Sequence, residues 1–151
     1  MKKIYEIVKI KQEVKETMAN RYTVRSPEDV VSHAYSIIGE EDREIVLIMV
    51  LNTKNHIIAV HRCHVGSVNA SIIHPREIFK SAILNNGSSI VAIHEHPSGD
   101  PTPSTQDIDT AVRLKECGNI IGIELLDFLV IGEREENGRI KNVSLKENGN
   151  I

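Results

Sequence analysis

Seven consecutive residues, Ile45-Val46-Leu47-Ile48-Met49-Val50-Leu51, carry no polar side chain. A run this short and this continuous reads as a central strand buried on both faces, because a half-exposed strand would alternate with period two. The segments around it supply the covering layers. Ser26-Pro27-Glu28-Asp29 marks a helix start, with Ser26 as N-cap, Pro27 in the first turn, and Val30, Val31, Ala34 and Ile37-Ile38 forming one face that ends near Gly39. After the central strand, Asn52-Thr53-Lys54-Asn55 is turn chemistry and Ile57 to Cys63 makes the returning strand of a hairpin. Pro75 opens a second helix, Arg76 to about Leu84, and Asn85-Asn86-Gly87-Ser88-Ser89 breaks it ahead of a short strand, Ile90 to Ile93. A third helix is expected from Ser104 to about Cys117, stopped by Gly118-Asn119. Short strands follow at Ile120 to Leu125 and Phe128 to Ile131, on either side of Leu126-Asp127. Asn137-Gly138 then signals a hairpin that pairs the Leu129–Gly132 region with Arg139–Leu145. Helices and strands alternating irregularly, with hairpins, predict an α/β fold: a mixed β-sheet with flanking helices.

The length, 151 residues, suits one domain with a modest core. The expected division is a basic N-terminal segment over 1–25, packed on or extending the domain, a globular unit over 26–146, and a frayed tail over 147–151. Within the first segment, Ile4, Ile7, Val8 and Ile10 fit an edge strand or a helical turn equally well. No apolar run reaches membrane-spanning length, and the start Met1-Lys2-Lys3-Ile4-Tyr5-Glu6 lacks the apolar stretch of a signal peptide. Cys63 and Cys117 have no framework spacing and read as small hydrophobes in a reducing compartment, so a cytoplasmic location is expected. The net charge of −3, with only five aromatic residues (three Tyr, two Phe), argues against a broad nucleic-acid surface. The charge is uneven: residues 1–25 hold seven Lys/Arg against three Glu, which fits a solvated arm better than a phosphate-binding one.

The chemistry concentrates in His94-Glu95-His96-Pro97-Ser98-Gly99-Asp100-Pro101-Thr102-Pro103-Ser104-Thr105-Gln106-Asp107. Histidines at i and i+2 on extended backbone leave the same side of a strand. The prolines and Gly99 forbid regular structure, and Ser104 sits at the helix start with Asp107 three residues on. Taken separately, a His-x-His at a strand end is ordinary surface chemistry and Ser-x-x-Asp is an ordinary capping arrangement. Taken together they deliver two imidazoles and a carboxylate, a ligand set that suits zinc with a fourth position left for water. His61-Arg62-Cys63-His64 also holds zinc-binding residue types, but its spacing matches no common pattern, and on a regular strand His61 and His64 point to opposite faces. His33, in the first helix, is read as surface or packing.

The spacing His-x-His, seven residues, Ser, two residues, Asp resembles the JAMM motif of JAB/MPN (MPN+) metalloproteases. The surrounding string, together with Asn69-Ala70-Ser71 and His74-Pro75-Arg76-Glu77, is similar to the RadC branch of that superfamily, from about Arg43 to Gly132. The resemblance implies a cytidine-deaminase-like α/β architecture and a Zn2+ ion held by His94, His96 and Asp107. It further implies Glu44 as general base, with Glu40 and Glu41 as alternatives if the register differs, and Ser104 as a hydrogen-bond donor to the developing oxyanion. The implied reaction is hydrolysis of a peptide or isopeptide bond in a protein substrate. The family is also associated with DNA repair, so the alternative is a DNA-associated accessory or binding module whose metal site is structural or vestigial. Longer members carry an N-terminal helix-hairpin-helix module, which residues 1–25 are not expected to form. The chain departs from the family in two places: Glu95 stands where Asn is usual between the histidines, and Phe128 where Leu-Asp-His is common. As an i+1 residue, Glu95 is expected to point away from the ligand face while adding negative charge nearby, and Phe128 is expected to pack.

Overall fold

The computed structural model describes residues 1–16, 22–66 and 73–151. Three helices, α1 (Pro27–Ile38), α2 (Pro75–Leu84) and α3 (Thr105–Ile121), flank five strands: β1 (Ile45–Leu51), β2 (Ile57–Val65), β3 (Ser89–Glu95), β4 (Glu124–Arg134) and β5 (Ile140–Ser144). The sheet order is β2-β1-β3-β4-β5, antiparallel except for the β3–β4 pair. This is the mixed sheet with flanking helices that the sequence predicts, and the helices lie on both of its faces. All seven residues of β1 are buried, between β2 and β3 within the sheet and between helices above and below it.

The alternation of β1 and β3 splits the core in two. Val46, Ile48, Val50, Ile90, Ala92, Phe128 and Val130 face α2 and α3, meeting Ile78, Phe79, Ala82, Ala111 and Leu114. Ile45, Leu47, Met49, Val91, Ile93, Leu129 and Ile131 face α1, meeting Val30, Val31, Ala34 and Ile38. Phe128 is 1% exposed and packs in the first of these clusters, as expected for the residue that replaces the family's histidine. Cys63 and Cys117 are unpaired, half-buried and packed against the same cluster. His33 stacks on Tyr22, ring centroids 3.7 Å apart.

Four local expectations are corrected. Helix α3 passes through Gly118 and ends at Ile121, with Gly122 in the left-handed conformation (φ 84°) as its C-terminal stop. Gly118 is a packing glycine: a Cβ there would lie 2.5 Å from the Ile123 carbonyl oxygen. β4 is one strand and not two, because the irregularity at Leu126-Asp127 is a bulge between the pairs Ile90↔Leu125 and Val91↔Asp127. A second bulge, at Cys63, lies between the pairs Val46↔His64 and Leu47↔Arg62, so His61 and His64 fall on the same side of the sheet. The tail does not fray: Asn148 N donates to Ser144 O and Asn150 N to Leu145 O, and Ile151 packs on the core. Asp127 holds this end by accepting from Phe128 N, Lys146 N and the Ser144 hydroxyl.

Residues 1–16 carry no helix or strand and are exposed throughout, with Gln12 exchanging amide hydrogen bonds with Asn85 at 2.9 and 3.1 Å. Thr23 bridges His56 at the head of β2. Asn69-Ala70-Ser71 lies outside the described residues. Among those described, no helix is long and apolar enough to cross a membrane.

Candidate metal centre

β3 delivers the two histidines. His94 points to the α3 side of the sheet, and His96, just past the strand end, follows it; their rings meet edge to face at 4.6 Å. Helix α3 delivers Asp107 from its first turn, held there by reciprocal capping. Asp107 N donates to Ser104 Oγ at 3.0 Å, and Ser104 N donates to Asp107 Oδ2 at 2.8 Å. The antiparallel pairs Ile45↔Glu95 and Val46↔His94 fix the third component, since the same register carried one residue further sets Glu44 opposite His96. Glu44, His94 and His96 each offer a ligand atom, and these atoms lie within 4.8 Å of one another. Of the alternatives, Glu41 is paired with Arg62 and Glu40 is exposed.

Asp107 connects both histidines. Its Oδ1 lies 2.8 Å from His94 Nδ1 and its Oδ2 3.3 Å from His96 Nε2, with no exposure at Asp107 and 2% at the His94 side chain. Burial alone would push the Asp107 carboxyl up. Hydrogen bonds from His94, His96 and Ser104 N outweigh it and hold the group far below the usual carboxylate range. The hydrogen bond to Asp107 raises His96 above an ordinary histidine, against the opposing effect of burial and with help from the Asp100 carbonyl. A carboxylate only accepts, so the His94 ring donates from Nδ1 and Nε2 is its remaining polar atom. That Nε2 is buried without a partner, and so is Glu44 Oε2. Buried polar atoms are rarely left unpaired in a folded protein. Two of them among converging ligand types fit a cation.

Two features at the site were not read from the sequence. His96 Nδ1 lies 2.9 Å from the Asp100 carbonyl oxygen, which can only accept, so this ring too turns Nε2 inward. Asp100 in turn accepts from Thr102 N and Oγ1 at 2.9 and 2.7 Å; the sequence signal was an Asp two residues before a Thr between prolines. Glu95 is 3% exposed, with Oε2 unpartnered, and burial raises its carboxyl to about 7, the charges of Glu41 and Glu44 adding to the shift and His96 opposing it.

A five-stranded mixed sheet with helices on both faces and this cluster at one end of β3 define an α/β domain of the JAB/MPN type with a potential metal site. The model of the RadC-like JAB domain matches residues 24–150, and the chain belongs to that family. It is 50% identical over 131 residues to a UPF0758 protein of Geobacillus sp. (strain WCH70), covering 87% of this chain and 55% of the relative. A UPF0758 protein of Clostridium beijerinckii is 47% identical over 132 residues, again covering 87% and 55%. The chain therefore spans little more than half the length of these relatives.

Proposed function

We propose that the protein is a zinc-dependent hydrolase of the JAMM type that cleaves a peptide or isopeptide bond in a protein substrate. The observation that carries this reading is the pair of unpartnered buried atoms, His94 Nε2 and Glu44 Oε2, beside His96 and Asp107. His94, His96 and Asp107 would hold the ion. Tetrahedral zinc with bonds of about 2.0–2.2 Å sets neighbouring ligand atoms ~3.3–3.5 Å apart, and His96 Nε2 lies 3.3 Å from Asp107 Oδ2. When bound, zinc supplies a Lewis acid and lowers the pKa of water to near ~7.

The other steps belong to the chain. Asp107 Oδ1 holds the His94 ring and the Asp100 carbonyl holds that of His96, so neither rotates when a ligand arrives. Glu44 takes the proton of the attacking water and returns it to the leaving amine, so an amide and water become an acid and an amine. Ser104 Oγ accepts from Asp107 N, which leaves its own hydrogen free to donate to the substrate carbonyl oxygen as that atom gains negative charge.

The test measures zinc content of the purified protein by mass spectrometry alongside His96→Ala, then peptide and isopeptide cleavage alongside Glu44→Gln. About one zinc per chain, lost in His96→Ala, and turnover abolished in Glu44→Gln with metal retained, is the expected result. Wild-type protein that takes up no zinc when it is supplied refutes the reading.

A further inference from the structure

The loop between the two halves of the motif is held by backbone, and its anchor is a glycine that lies outside the motif. After His96 the chain doubles back over the end of β4. His96 N donates to Ile131 O at 2.9 Å, Gly99 N to His96 O at 3.0 Å, and Glu133 N to Gly99 O at 3.0 Å. Between Ile131 and Glu133 is Gly132. A Cβ at Gly132 would collide with the carbonyl oxygen of Gly99, and would lie 2.8 Å from the Gly99 carbonyl carbon and 3.2 Å from Pro101 Cδ. The obstacles are backbone and a proline ring, not the far end of a flexible side chain, so the loop itself would have to move. Gly99 is buried at φ 85°, a left-handed backbone conformation that favours glycine, so the close approach has a glycine on each side.

The next residue after Gly99 is Asp100, whose carbonyl accepts from His96 Nδ1. The loop's seat on β4 therefore sets the direction of the His96 ring. We propose that Gly132 is a positioning residue of the metal site: its bare Cα seats Gly99, Gly99 places the Asp100 carbonyl, and that carbonyl turns His96 Nε2 towards Asp107. The inference rests on the metal-site reading above. It adds a residue from a different strand that touches no ligand.

The experiment compares wild type, Gly132→Ala and Gly99→Ala in a zinc competition titration against a chromophoric chelator. In the same samples NMR follows the ring Nδ1–H signal of His96, which a held hydrogen bond protects from exchange with or without metal. Asp127→Ala, which loosens the C-terminal end, controls for general destabilisation. Loss of an outer partner of a metal ligand typically weakens affinity by ~10–100-fold. That loss, together with loss of the His96 ring signal, is expected for Gly132→Ala and for Gly99→Ala, with neither change for Asp127→Ala. Wild-type affinity and an unchanged ring signal in Gly132→Ala overturn the inference and leave the metal reading intact. Should Gly132→Ala not fold, Gly99→Ala decides, because it strains the same seat from the loop side, where a Cβ would lie 3.0 Å from Glu133 Oε2 at a φ of 85°; wild-type behaviour there overturns the inference. Should wild type bind no zinc, the metal reading fails, and persistence of the ring signal in Gly132→Ala overturns the bracing as well.

Discussion

Glu95 should weaken the metal-free protein in a way that grows with pH. It closes β3, paired with Ile45 on one side and Ile131 on the other, and alternation sends its side chain away from the ligand face used by His94. There it is 3% exposed with Oε2 unpartnered, and burial moves its carboxyl from 4.5 to about 7. A carboxyl whose folded value is raised binds its proton more tightly in the folded state. Acid therefore favours folding, and the ionisation penalty builds as pH rises from the unfolded value of 4.5 through about 7. At ~1.4 kcal/mol per pH unit the full penalty is on the order of 3 kcal/mol by pH 8. Glu95→Gln keeps the shape and removes the charge. Its amide leaves a buried donor whose cost, about 1–3 kcal/mol, does not vary with pH. The diagnostic is therefore the change in the gap between variant and wild type, not the gap itself. Urea unfolding of chelator-treated proteins at pH 5 and pH 8 should find Glu95→Gln gaining roughly 2–3 kcal/mol on wild type over that interval. In thermal unfolding the same gain is about 4–12 °C for a chain of this size. A gap that stays constant between the two pH values would refute the burial argument for Glu95.

Zinc binding should be proton-coupled, because the ion must displace the proton that Asp107 holds on His96, whose affinity for it is raised. Affinity should fall as pH drops through the histidine range, and calorimetry in two buffers of different ionisation enthalpy should report net proton release near pH 7; a buffer-independent enthalpy counts against this. Gly118→Ala places a Cβ against the Ile123 carbonyl oxygen, so overpacking should cost about 1–3 kcal/mol in urea midpoint analysis. A neutral result there would mean that the α3–β4 contact is looser than its geometry. Cys63 should be a poor nucleophile, since burial first and Glu77 second push its thiol from 9.0 up to about 11. Its labelling by a disulfide reagent at pH 8, followed site by site by mass spectrometry, should run roughly 100-fold slower than that of a free thiol of ordinary pKa, and equal rates would contradict the burial.

What was legible in the sequence was local. The ends of β1 and α2 follow directly from an unbroken apolar run and from a proline at a helix start, signals that need no tertiary partner. Gly118 and Gly122 were harder to tell apart, because each can end a helix. Which one does is decided by Ile123, packed so close over Gly118 that only glycine fits there, and by the left-handed backbone at Gly122. The bulges at Cys63 and Leu126 were invisible for a related reason. A bulge is a relation between two strands, and period-two reasoning on one strand assigns every side chain beyond it to the wrong face. The site divides along the same line. His94, His96, Ser104 and Asp107 sit on one short stretch whose spacing can be read, whereas Glu44 lies far upstream and could be named only through a family resemblance. Sheet register joins it to them, since the pair Ile45↔Glu95 brings Glu44 beside His96. Gly132 is a further step removed, because its role lies in what it lacks. A sequence records the glycine but not the carbonyl of Gly99 that occupies the place of its missing side chain. Residues that hold a ligand in place by leaving room for backbone are therefore the part of such a centre that only three-dimensional structure reveals.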